Sequence, residues 1–190
     1  MQGHEDVELN ARGIRQSQAI AARLAEESFS ALYSSDLKRA YQTARYIAEK
    51  IGCEIISDSR LRERDLGVFQ GFTKEEAMQR FPEAYSLFHS GDPDYVIPEG
   101  ESRRQKYERS VACIKDVIHR HPGERVLVVT HGGVLINLIR LAFGLPLSMQ
   151  IIIKLFNAGL NRFHIENDQW KLVTWGETCH LREIRAADEL

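Results

Sequence analysis

Residues 125–135 read RVLVVTHGGVL. Val126 to Val129 form an unbroken apolar run of strand length with no polar alternation, which predicts a parallel strand covered on both faces. A histidine, two glycines and the apolar helical run VLINLIRLAFG follow at once. Strand, glycine turn and helix make up the unit of an α/β sheet, and the flanking sequence repeats the alternation. Upstream, Ser102 and Gln105 form a capping box for a helix whose Tyr107, Val111, Ile114 and Ile118 share a face, until Pro122-Gly123 breaks it.

Nearer the start, Asn10 caps the run ARGIRQSQAIAARLAEE, with Ile14, Ala21, Leu24 and Ala25 inward. FSALYSS supplies a short strand ending at Ser34-Ser35, where a hydroxyl caps the helix DLKRAYQTARYIAEK. Its inner stripe is Leu37, Ala40, Tyr41, Ala44, Ile47 and Ala48. Gly52 ends it, and CEIIS is the next strand. Residues 58–101 are irregular, with one short helix opened by a Thr73/Glu76 capping box and stopped at Phe81-Pro82. So long an excursion points to a functional segment. Downstream, LNRFHI and QWKLVTW flank the polar turn ENDQ, a hairpin or sheet edge. The expectation is an α/β fold with a mainly parallel sheet, residues 1–190 forming a single domain.

Composition narrows the function. With 25 Lys+Arg against 27 Asp+Glu in 190 residues, the formal charge is −2. No overall basic field is present to hold a nucleic acid or an anionic bilayer, so any bound anion must be held by a few local cations. No apolar run approaches the ~18 residues of a membrane span. The opening MQGHEDVELN is polar and acidic where a secretory signal is basic and then apolar, so the expectation is a cytoplasmic protein. Cys53, Cys113 and Cys179 are odd in number and form no CxxC pair, which argues for reduced thiols.

Open α/β sheets bind ligands beyond the carboxyl ends of their strands, where helices begin. Two places fit. In SSDLKRA, Lys38 and Arg39 occupy a first helical turn, where the macrodipole disfavours positive charge. Either an anion sits there, forked by Arg39, or the turn is solvated with Asp36 as counter-charge. In VVTHGG, His131 and the N–H groups around Gly132 suit an anion; a core histidine satisfied by a carbonyl is the alternative. A third candidate, Glu63 in RLRERDLGVFQG, gains a partly apolar wall from Leu66, Val68 and Phe69, which suits a proton donor.

Taken together, SSDLKRAYQTA, LRERDLGVFQG, IPEGES, VLVVTHGGVL and NAGLNRFHIENDQWKL with a late CHL occur in this order in the histidine phosphatase superfamily, the phosphoglycerate-mutase-like enzymes, and the chain resembles that family over nearly its whole length. The resemblance implies a three-layer sandwich and hydrolysis of small phosphomonoesters through a phosphohistidine. It also implies roles: Arg39 as a phosphate-binding arginine, His131 as the second histidine, Glu63 as proton donor, and Gln2 and Gly3 beside the phosphate. The segment 58–101, with Arg62, Arg64, Phe69 and Phe88, is expected to cover the pocket and set specificity. No metal or organic cofactor is required, because imidazole and guanidinium groups can neutralise the phosphoryl charge. The partner expected is a small phosphorylated substrate, with no nucleic acid, no membrane and scope for a homodimer.

One departure stands out. Family members begin with an apolar strand ending in Arg-His-Gly, which supplies the nucleophilic histidine, and nothing of that kind precedes Gln2. His4, His89, His119, His121, His164 and His180 do not follow a buried strand. The expectation is an N-terminally truncated form whose first, central strand, beside RVLVVT, is missing. Its loss leaves a groove costing several kcal/mol against a total stability of about 5–15 kcal/mol. The competing class is a non-catalytic phospho-ligand-binding or scaffolding protein of the same fold. Two weaker readings are a Cys-x5-Arg phosphatase loop at Cys179 and Arg185, which lacks the glycines such a loop needs, and metal chemistry at His119-x-His121, more simply a solvated pair.

Overall fold

The computed structural model describes residues 1–184. In chain order the elements are α1 (Ala11–Leu24), β1 (Ala31–Ser34), α2 (Lys38–Ile51), β2 (Ile55–Ser57), α3 (Lys74–Arg80), α4 (Pro82–His89), α5 (Arg103–Arg120), β3 (Val126–Val129), α6 (Gly132–Phe143), β4 (Leu160–Glu166) and β5 (Gln169–Glu177). β1, β2 and β3 form a parallel sheet in the order β2-β1-β3. Helices flank it on both sides. Ala31 and Tyr33 of β1 pack with Cys113, Ile114 and Val117 of α5 and Leu138 of α6. Leu32, between them, packs with Ile20, Ala21 and Leu24 of α1 and Ile47 of α2. This period-two alternation sends successive side chains of one central strand into two helical layers.

Local signals explain most boundaries. Asn10 accepts from the Gly13 amide at 2.9 Å, and the boxes at Thr73/Glu76 and Ser102/Gln105 are both closed. Gly52 ends α2 at φ 72°, a conformation that glycine adopts without strain. Four expectations need correcting. The cap of α2 is Leu37, with no side-chain hydrogen bond of its own, while Tyr41 is exposed rather than part of the inner stripe. On α1, Ala25 is exposed, and Ser17 and Ile20 complete the buried face instead. The excursion holds two helices, because Pro82 does not stop structure but starts α4 at a position whose missing N–H costs nothing.

The expected hairpin is β4–β5, an antiparallel pair separate from the parallel sheet. Asn167 and Asp168 at its turn both take positive φ, 50° and 59°, as a two-residue hairpin turn requires.

The excursion is pinched at its neck. Val68 donates to the Pro98 carbonyl at 3.0 Å, Glu101 donates to the Asp65 carbonyl at 3.2 Å, and the Asp65 amide donates to the Glu101 carboxylate at 2.9 Å. The two strands of chain lie so close that a Cβ on Gly67 would overlap the Pro98 carbonyl, and one on Gly100 would sit 2.7 Å from the Asp65 carbonyl. Between the necks the segment has its own small core: Phe69, fully buried, meets Phe81, Tyr85 and Phe88 edge-on.

β3 departs from the prediction. All four of its residues are only partly buried, not covered on both faces. Among the described residues it pairs with β1 alone, and its other edge opens on a cavity of about 1510 Å³. The cavity runs from Arg125 along β3 to His131, with Ile114, Val117, Phe163 and Trp170 also lining it.

Candidate active site

The carboxyl ends of β1 and β3 lie side by side, with Ser34 in register with Val129, so the residues that follow each strand meet. Ser35 and His131 are those residues. Their Oγ and Nε2 atoms are 2.8 Å apart, and both side chains are buried. His131 caps α6 in extended conformation, φ −118° and ψ 162°, which sends the chain into Gly132 and the helix amides. Burial, and after it the neighbouring Arg39 cation, holds the imidazole pKa down at about 4, so it is neutral at pH 7.

Arg39 lies in the first turn of α2. Its guanidinium donates to the Gly3 carbonyl at 2.8 Å and the Glu5 carbonyl at 2.9 Å, drawing the opening loop over the site. The charge mismatch predicted at this helix start is resolved by Asp6, whose carboxylate accepts from the Lys38 amide at 2.7 Å. Asp36, expected as the counter-charge, instead takes both arms of the Arg62 guanidinium, at 2.7 and 2.5 Å.

Glu63 follows a short 3-10 turn at Ser59–Leu61. One carboxylate oxygen accepts from the Gly133 amide and the other from the Arg64 amide, each at 2.8 Å. Its own carbonyl accepts from Arg109 and lies 2.7 Å from the His4 imidazole. Burial pushes the carboxyl pKa up, but the Lys106 ammonium and the two amides outweigh it, and the net pKa is below the usual carboxylate value. The resting group is a carboxylate. The expected apolar wall is not what surrounds it: Phe69 belongs to the excursion's own core with Val68 beside it, and Phe88 lies under the Arg64 guanidinium, 5.1 Å from its ring centroid. Of the three apolar residues proposed, Leu66 alone lines the cavity.

Gln2, Gly3, Arg39, Glu63, His131 and Gly132 all line one cavity, the one that continues along β3. Arg62 does not line it; its guanidinium is turned to Asp36. Three residues of the site escaped the sequence reading. The sequence marks Ser35 only as a helix cap. His4 belongs by sequence to a polar loop, yet its ring bridges the Glu63 carbonyl and Asp65. Lys106 heads the buried stripe Lys106, Ser110, Cys113 and Val117 on α5, a helical spacing that would have found it.

His121 is not a solvated partner of His119: its ring sits between the Tyr33 hydroxyl at 3.1 Å and Glu124 at 2.7 Å. Among the described residues, no cluster of three or more His, Cys, Asp or Glu side chains is arranged to hold a metal. Cys179 is exposed, and Arg185 lies outside the described residues. Nor is any helix among the described residues long and apolar enough to cross a membrane.

The sequence profile of the histidine phosphatase superfamily (branch 1) matches residues 1–178. The chain belongs to that superfamily, and its class is that of the histidine-type phosphoric monoester hydrolases. It is 43% identical to phosphoglycerate mutase-like protein 4 of Arabidopsis thaliana, over 96% of this chain and 80% of that one. To the metal-independent phosphoserine phosphatase of the same plant it is 42% identical, over 97% and 77%. Among solved structures, Bacillus stearothermophilus YhfR superposes with a TM-score of 0.87 at 28% identity, covering 96% of this chain and 91% of that one. Mycobacterial glucosyl-3-phosphoglycerate phosphatase in complex with inorganic phosphate gives 0.81 at 28% identity, covering 95% and 92%.

Proposed function

We propose that this protein hydrolyses small phosphomonoesters through a phosphohistidine, with Arg39 and His131 holding the transferring phosphoryl group and Glu63 handling the proton. The observation that carries the reading is the convergence of guanidinium, imidazole and carboxylate on one cavity mouth at the strand ends. The phosphatases among the relatives support it. The family resemblance implies a nucleophilic imidazole on an apolar strand of about five residues, which would pair with the open edge of β3. The cavity that opens beside β3, lined by Val126 to Val129, supports that placement.

In the first step an imidazole nitrogen bonds to phosphorus as the ester P–O bond breaks, and Glu63 gives its proton to the leaving oxygen. In the second, water bonds to phosphorus as the P–N bond breaks, and the Glu63 carboxylate takes the water proton. The resting carboxylate must first be protonated. A phosphoester dianion docked on Arg39 raises the proton affinity of both Glu63 and His131, so substrate and proton enter together. Gln2 and Gly3 bring main chain against the phosphate, and Gly132 opens the α6 N-terminus toward it.

The test compares aryl-phosphate turnover, and acid-quenched phosphohistidine, in this chain and in one extended by an apolar strand ending in Arg-His-Gly. Turnover in the extended chain supports the proposal; an inert extended chain overturns it. Tight phosphate binding by both chains with turnover by neither favours the second reading, a phospho-ligand-binding protein.

A further inference from the structure

Lys106 is buried behind the wall of the site, only 8% exposed, and takes no part in the chemistry above. Its ammonium donates to the Gly133 carbonyl at 3.0 Å, on the same residue whose amide binds Glu63. The two side chains crowd one spot: a Cβ on Gly133 would overlap a Glu63 carboxylate oxygen and lie 2.7 Å from Lys106 Nζ. A lysine there is costly to bury unless its charge is used.

We propose that Lys106 is a positioning residue for Glu63: its ammonium, anchored on the Gly133 carbonyl, keeps the carboxylate ionised and aimed at the Gly133 amide until a phosphoester docks. The proposal rests on the phosphatase reading only for what Glu63 then does with its proton. The other charges around Glu63 are already committed. Arg109 on α5 is paired with Glu101 at 2.5 Å, and Arg62 is paired with Asp36. Arg39 on α2 and Arg64 beside Glu63 donate to carbonyls, His4 from the opening loop faces Asp65, and His131 before α6 is neutral. Burial also lowers the Lys106 pKa to about 8, so the hold on Glu63 is itself released in mildly alkaline solution.

The experiment is a carbon-13 NMR titration of the Glu63 carboxyl, assigned by its loss in Glu63→Gln, in the full chain with wild-type sequence, Lys106→Met and Lys106→Arg. Lys106→Met is expected to raise the proton affinity of Glu63 tenfold or more, and Lys106→Arg to restore it. In the wild type, the Glu63 signal shows a second inflection as Lys106 loses its charge, a readout that needs no Lys106 variant to fold. An unchanged Glu63 midpoint in folded Lys106→Met, or a wild-type titration without the second inflection, overturns the proposal. In a chain that turns over aryl phosphates, the alkaline limb of kcat/KM moves upward in Lys106→Met. If Glu63 shifts but no chain turns over, the phosphatase reading fails while the pairing with Lys106 stands.

Discussion

The Ser35 hydroxyl and the His131 imidazole meet at 2.8 Å across the ends of two adjacent parallel strands, one residue beyond β1 and two beyond β3. The hydroxyl also receives the Leu37 amide, at 3.3 Å, so it ties the ring to the start of α2. Ser35→Ala leaves a buried ring nitrogen without this partner, which costs on the order of 1 kcal/mol. Phosphate affinity, measured by calorimetry on the chain as it stands, is expected to fall about threefold to tenfold.

His131 also makes the fold acid-sensitive. Its pKa is about 4 in the folded protein against an ordinary 6.5, so between these values the unfolded chain binds a proton that the folded chain does not. Stability therefore drops as pH falls through that window, by about 3 kcal/mol from this group alone. Glu63, whose carboxyl pKa is lowered in the fold, adds to the loss on the acid side. Urea unfolding between pH 7 and 4 should show the slope, and His131→Gln should flatten it.

Glu63→Gln is expected to leave p-nitrophenyl phosphate turnover by the strand-extended chain within about tenfold, because that leaving group departs unprotonated. Alkyl phosphates should lose about a hundredfold or more. Gly133→Ala should show the same leaving-group pattern, since the added Cβ displaces the carboxylate itself. Equal losses for both substrates in both variants would remove Glu63 from the proton transfer.

The open edge of β3 has a thermodynamic signature. Filling the part of the cavity beside β3 with a paired apolar strand should raise stability by several kcal/mol and Tm by roughly 10 °C. Backbone amides of β3, paired on one side, should exchange faster than those of β1, paired on both. Identical melting curves for the extended and unextended chains would contradict this.

The α/β order was legible because it is written in local signals: the capping residues Asn10, Thr73 and Ser102, the glycine stops, and the apolar strand ending in a histidine and two glycines. Arg39, Glu63 and His131 were legible as anion-site candidates from their places at element boundaries, and the family resemblance tied them together. Pairings across the fold were not. Nothing in RLRER says that Arg62 will be neutralised by Asp36 while Arg64 lies over Phe88, because those partners are remote in sequence or hidden in an excursion that packs on itself. The partial exposure of β3 is not legible in the run RVLVVT, and the expectation of a groove beside it comes from the family resemblance. The run's composition reports a strand built to be covered on both sides, and composition carries no record of whether a neighbour is present.

The pinched neck at Asp65–Gly67 and Pro98–Glu101 has an evolutionary meaning. Because the two crossing points are locked by main-chain bonds and by glycines that tolerate no side chain, the thirty-odd residues between them form a cassette. None of residues 68–97 lines the cavity, so the length of this cassette can change without moving Glu63, two residues outside the clasp. The clasp thus insulates the position of Glu63 from the size of the excursion.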